Sequence, residues 1–156
     1  MAMIKKIRHA VGAIIVQNNE YLLVHKVKQM EGLDGPISID AVWDFPKGGV
    51  HPAETLLNAL WRELREETGS QQYRVRKQFP GSISFSFEAA TQQAVGYSRQ
   101  ETTMFLVEYV GDRTDLYPQN EEIDDLRFFH AKQVLLHLPH EETRQFYQQF
   151  LLESTE

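Results

Sequence analysis

The sequence predicts an α+β fold, a mixed β-sheet with helices packed on it, and three features carry that expectation. Stretches that alternate apolar and polar residues, "YRVRKQF", "SISFSFEA" and "TTMFLVEYV", read as strands with one buried face. One segment, 52 to 68, changes to the helical period, with Leu57, Leu60, Trp61 and Leu64 at i, i+3, i+4 and i+7. The last third, "AKQVLLHLPHEETRQFYQQFLL", is helical in composition and broken at Pro139. With 156 residues, 42% of them hydrophobic and 24% charged, the chain has the size and makeup of one compact domain, taken as 1–156.

In chain order, residues 7 to 17 and 20 to 28 are two apolar strands joined by Asn18-Asn19, a pair that tolerates positive φ and suits a tight hairpin. Residues 29 to 41 hold two glycines and a proline without sustained periodicity and read as a loop. "VWDF" is a short strand ended by Pro46, which has no N–H to donate, and Lys47-Gly48-Gly49 reads as a flexible turn. The helix from Pro52 stops at Gly69, a residue that relaxes into a left-handed cap. The strands after it are joined through Pro80-Gly81, and Phe146, Phe150 and Leu151 of the C-terminal helices are expected in the core, as are most of Phe79, Phe85, Phe87, Tyr97 and Phe105.

Composition removes several classes of function. The absence of cysteine excludes a disulfide framework, a thiolate metal site and a cysteine nucleophile. The apolar run from Ala10 to Val16 is short and ends at Gln-Asn-Asn, so a strand and a cytoplasmic protein are expected, and no stretch approaches the ~20 apolar residues of a membrane helix. A net charge of −6 argues against duplex nucleic acid, though not against a phosphorylated small molecule held through cations.

"RELREETG", 62 to 69, concentrates carboxylates on the helix. At ~100° per residue Glu63, Glu66 and Glu67 share one arc, about a third of a turn from the Leu57/Leu60/Trp61/Leu64 stripe, at the margin where a cleft wall would stand. Like charges at this spacing repel, Arg62 and Arg65 offset only part of it, and a hard cation would offset far more. A solvated acidic face is the alternative reading of the run alone.

The wider spacing favours the cation. Gly48, Glu54, Arg62-Glu63-Leu64, Glu66-Glu67 and Gly69 in "GGVHPAETLLNALWRELREETG" resemble the Nudix box of the MutT/Nudix hydrolases, and such a chance match has odds below about one in a million at typical residue frequencies. One position departs, Ser70, where the family prefers an aliphatic residue. "VGAIIV", "WDFPKGG" and "EEIDDLRFF" are similar to the family as well. The resemblance implies a Nudix-type α/β/α sandwich and metal-dependent hydrolysis of a nucleoside diphosphate linked to another moiety, by water attack on phosphorus. It implies Mg²⁺ or Mn²⁺ as cofactor, Glu63, Glu66, Glu67 and the Gly48 carbonyl as metal ligands, and Glu54 with Arg62 as structural support. Three carboxylates and a carbonyl are an oxygen set that suits such cations.

The resemblance implies as general base either Glu63 or a glutamate of "NEEID", 120 to 124, of which Glu122 rather than Glu121 precedes the isoleucine found in similar enzymes. Lys47, Gly48 and Gly49 are candidates for contact with substrate phosphates. The six histidines show no ligand spacing. "WDFPKGG" resembles diadenosine polyphosphate hydrolases and bacterial RNA 5'-pyrophosphohydrolases. A dinucleoside polyphosphate or nucleoside triphosphate is therefore the expected substrate, with triphosphorylated RNA ends and a non-catalytic nucleotide-binding regulator as alternatives.

Overall fold

The computed structural model describes residues 6–27, 29–38 and 41–154, with backbone alone at 29–32 and 35–38. The strands are β1 (Ile7–Gln17), β2 (Glu20–Lys26), β3 (Gln29–Gly32), β4 (Gly35–Ser38), β5 (Val42–Asp44), β6 (Lys47–Gly49), β7 (Tyr73–Ser86), β8 (Arg99–Tyr109) and β9 (Ile123–His130). The helices are α1 (Leu56–Thr68), α2 (Ala89–Val95), α3 (Ala131–His137) and α4 (Glu141–Ser154).

The main sheet runs β5-β2-β1-β8-β7, with β9 along β2 and β6 along β1. Only the β1–β8 pair is parallel among the described ladders, so the sheet is mixed as expected. Asn18 and Asn19 take φ of 51° and 63°, the left-handed pair that a two-residue hairpin needs, and Gln17 faces Glu20 across it. Each face of the sheet carries a core. Ala59, Leu60 and Leu64 of α1 pack on Val11, Ala13, Ile15 and Leu22, while Val134, Tyr147 and Phe150 of α3 and α4 pack on Ile14, Tyr21 and Leu23. Helices on both faces of one sheet make the sandwich.

What positions the site is a split in that sheet. β1 and β2 pair only at Val16–Gln17 with Glu20–Tyr21 and then diverge. β5 follows β2, and β6 follows β1 with Ala10, Val11 and Gly12 opposite Gly49, Gly48 and Lys47. The Pro46 carbonyl accepts from Ala13 N at 3.0 Å and seals the junction.

Several expectations change. Residues 47 to 49 are a strand rather than a flexible turn, because the diverging β1 leaves backbone donors and acceptors that only a returning segment satisfies. The 29–41 segment is not a loop throughout: β3 and β4 form a hairpin, whose Leu33 N donates to the Ala94 carbonyl of α2, with residues 39 and 40 outside the described residues. α1 begins at Leu56, not Pro52, because the Thr55 side chain accepts from Asn58 N at 3.1 Å and caps the helix there. "YRVRKQF" and "SISFSFEA" join in one irregular strand, β7, and α2 goes beyond anything the periodicity indicated. Phe79 and Phe105 are core residues, whereas Phe85 is exposed and Phe87 and Tyr97 are half-buried. No helix among the described residues is long and apolar enough to cross a membrane.

Candidate active site

α1 turns its carboxylates further inward than the stripe of leucines indicates. Leu57 and Trp61 are 49% and 37% exposed, and the buried residues are Ala59, Leu60, Leu64, Glu67 and Thr68. Counting Ala59, Glu67 and Thr68 with Leu60 and Leu64 turns the buried face by about an eighth of a turn toward the glutamates. Glu67 is thereby 4% exposed.

Two internal cations meet these carboxylates. Arg62 grips Glu54 with both nitrogens, Nε to Oε2 at 2.8 Å and Nη2 to Oε1 at 2.9 Å, and Nη2 also donates to the Gly49 carbonyl at 2.8 Å. The contact is direct because Glu54 precedes the helix cap, so the angular count along a helix does not separate the two. Arg62 Nη1 reaches Glu63 Oε1 at 2.6 Å and Glu66 Oε2 at 3.4 Å. The Arg62 hydrogen bonds hold the Glu54 carboxyl down at about 2, and the same contacts raise the guanidinium further. Lys26 Nζ lies 3.4 Å from Glu67 Oε2 and donates to the Lys47 carbonyl at 3.1 Å. Burial works against the Lys26 charge, but Glu67, Asp44 and Glu63 together hold its pKa above the usual lysine value.

Burial pushes the Glu67 carboxyl up to about 7 against the pull of Lys26. Burial also raises Glu63, with Arg62 opposing and Glu66 adding to the rise. A Cβ built on Gly48 would fall 2.0 to 2.3 Å from the Glu63 carboxyl atoms, so that carboxylate occupies the space over the bare backbone of β6. Glycine is required there for approach.

The sequence-named residues fall as follows. Glu63, Glu66, Glu67, Gly48, Glu54 and Arg62 are brought together at the open end of the split sheet. Lys47 N donates to Glu67 Oε1 at 3.2 Å, but its ammonium turns away to Asp44 at 3.2 Å and Thr143 at 3.1 Å. The Glu122 carbonyl is held by Val27 N at 2.7 Å, which keeps its exposed side chain at the end of β2.

Two residues of this neighbourhood escape the sequence reading. Lys26 continues the alternation of Leu22 and Val24, so period two could have flagged a lysine on a buried face. Arg8 donates to Gln100 Oε1 at 2.6 Å, lies against Gly49 and feels the charges of Glu63 and Glu122. Burial lowers its pKa. Only the pairing of β1 with β6 and β8 brings it there, and no local signal shows it.

Among the described residues no three His, Asp or Glu side chains converge on one point. The glutamates are instead aimed at Arg62 and Lys26. Their chemistry fits a divalent cation all the same: hard oxygens, the Glu63 carboxylate seated in the glycine cradle, and a buried Glu67 whose ionised form needs added positive charge.

Comparison with known proteins identifies the family. The NUDIX domain family matches residues 6–150. The chain is 34% identical over 133 residues to an RNA pyrophosphohydrolase of Helicobacter pylori (strain P12), covering 84% of this chain and 83% of that protein. It is 31% identical over 104 residues to one of Campylobacter jejuni, covering 65% and 67%. In fold it is similar to a MutT protein of Methanosarcina mazei Go1, with a TM-score of 0.74 at 20% identity over 99% of this chain and 100% of that one. A C. elegans Ap4A hydrolase gives 0.69 at 17% over 95% and 98%. With a family match across nearly its whole length and the box carboxylates gathered beside a glycine strand, this chain belongs to the Nudix family.

Proposed function

We infer that this chain is a Nudix pyrophosphohydrolase, one domain over 1–156, that uses Mg²⁺ or Mn²⁺ to cleave a phosphoanhydride at the 5' end of triphosphorylated RNA. The observation that carries the hydrolytic reading is the burial of Glu63 and Glu67 beside the Gly48 cradle, a costly placement for carboxylates on a surface helix. The RNA end is supported by the relatives of 31 to 34% identity that bear that activity in their names. The net charge of −6 speaks against long contacts with RNA, but a 5' terminus requires only a few.

In this reading Glu63, Glu66, Glu67 and the Gly48 carbonyl hold the metal. The cation supplies neutralisation of the polyphosphate and a more acidic attacking water. Arg62 fixes the glutamates by anchoring to Glu54 and the Gly49 carbonyl, and Lys26 offsets part of the burial that raises the Glu67 carboxyl. Arg8, half-buried against Gly49, is the cation for substrate phosphate, while Gly48 and Gly49 let the phosphates approach the backbone and Lys47 contributes its strand rather than its ammonium. Water oxygen bonds to phosphorus, the P–O bond to the bridging oxygen breaks, and Glu122 accepts the water's proton.

Dinucleoside polyphosphates are the second reading, since "WDFPKGG" resembles hydrolases of both substrate classes. Products from a triphosphorylated RNA oligonucleotide, diadenosine tetraphosphate and a nucleoside triphosphate, each with Mg²⁺, Mn²⁺ or chelator, decide between them. The RNA oligonucleotide is expected to turn over fastest. Glu67→Gln should lower that rate at least about 100-fold, equivalent to about 3 kcal/mol, with the fold retained. Turnover indifferent to chelator refutes the metal roles, and turnover confined to diadenosine tetraphosphate refutes the substrate.

A further inference from the structure

The segment between β8 and β9 carries Glu122, and it is fastened to α1 by contacts that a surface connection does not need. Asp115 is the hub. Its Oδ2 accepts from Ser70 Oγ at 2.5 Å and from Gln72 Nε2 at 2.8 Å, and its Oδ1 accepts from the Tyr109 hydroxyl. Ser70 and Tyr109 are each 1% exposed, so two of the three donors come from the interior. The hydroxyls are used twice: Ser70 Oγ accepts from Gln72 N at 2.9 Å, and Tyr109 Oη accepts from Arg113 N at 2.9 Å.

Beyond the hub the fastening continues toward the site. Tyr117 N donates to the Thr68 carbonyl at 2.8 Å, and Gln119 N to the Glu66 carbonyl at 3.2 Å. Val27 N then holds the Glu122 carbonyl at 2.7 Å. From Asp115 to Glu122 the chain is therefore tied first to the helical turn that bears Glu66 and Glu67, and finally to the end of the strand that bears Lys26.

Ser70 is the one place where the box departs from the family's preference for an aliphatic residue. An aliphatic side chain would fill the volume but would take a donor from the Asp115 carboxylate, and a half-buried carboxylate short of donors moves toward water. We propose that Ser70 and Asp115 are positioning residues that hold Glu122 at a fixed distance from the metal-binding turn of α1. This rests on the reading of Glu122 as the group that accepts the water's proton.

The test is a double-mutant cycle on the wild-type chain's preferred substrate from the panel above, with thermal melts to verify folding. Ser70→Val is expected to lower kcat by about 10- to 100-fold, the cost of a displacement on the order of 1 Å, with KM unchanged within about twofold, while Ser70→Thr, which keeps the hydroxyl, restores most of the rate. In a Glu122→Gln background Ser70→Val should cost less than about twofold, because its effect passes through the missing group. Asp115→Asn, which keeps the volume and removes the charge, gives the same comparison where Ser70→Val does not fold. Equal losses in both backgrounds, a rise in KM without loss of kcat, or a Glu122→Gln rate equal to wild type overturns the inference. A wild-type chain inert toward every substrate with metal overturns the hydrolytic reading itself.

Discussion

Glu54 shows how far one residue can be read. Its position in the box implies a structural partner for Arg62, and the structure places the pair in bidentate contact at 2.8 and 2.9 Å. Its folded-state pKa of about 2 lies below the ordinary value of 4.5, so its ionisation stabilises the fold above pH 4.5, and that contribution is lost as pH falls toward 2. Glu54→Gln should thus melt earlier than wild type at pH 7, and the gap should close in thermal melts repeated from pH 5 down to pH 2. Arg62 stays charged throughout and adds no slope of its own. Gly48 makes a separate prediction. It does not require positive φ, so Gly48→Ala is tolerated by the backbone, but the new Cβ would lie 2.0 Å from the Glu63 carboxyl carbon. The flexible glutamate moves aside, and the expected result is a melting temperature near wild type with turnover reduced about 10- to 100-fold.

At the level of the helix, the residues that end α1 matter as much as those that face the core. Thr55 caps the start, and Gly69 ends the helix at φ 79° with its N–H on the Arg65 carbonyl. Thr55→Ala should cost about 1 kcal/mol in denaturant melts, the usual loss of a side-chain cap. Gly69→Ala should cost more than Thr55→Ala, because a left-handed residue gains a Cβ 2.4 Å from the Tyr117 carbonyl oxygen, backbone that cannot swing aside. Equal or reversed costs would mean that the Tyr117 segment yields, contrary to its hydrogen bond with Thr68. The helix also shows why periodicity places its buried face about an eighth of a turn off. Periodicity counts apolar residues, and it credits Leu57 and Trp61 while ignoring Ala59 and Glu67, whose burial depends on a close sheet and on Lys26.

Across the molecule, two cores share one sheet, with Leu60 in the core under α1 and Leu23 in the core under α3 and α4. Each is at most 1% exposed, so Leu60→Ala and Leu23→Ala should each cost about 2–5 kcal/mol. Because both cores lean on the same strands, calorimetry should find a single transition lowered by either change, and two separated transitions would break that coupling. By itself the sequence determined the strand residues of β1, β2, β5, β7 and β8, the hairpin at Asn18-Asn19, the box helix and the identity of its carboxylates, all of which follow from spacing and backbone preference within a few residues. Tertiary structure alone decided that β1 and β2 split, that residues 47 to 49 pair in the gap, and that Lys26 and Arg8 arrive beside Glu67 and Glu63. It also turned the Lys47 ammonium toward Thr143, far along the chain. Those are contacts between residues remote in sequence, settled by which buried donors, acceptors and charges find partners, and no local pattern encodes that competition.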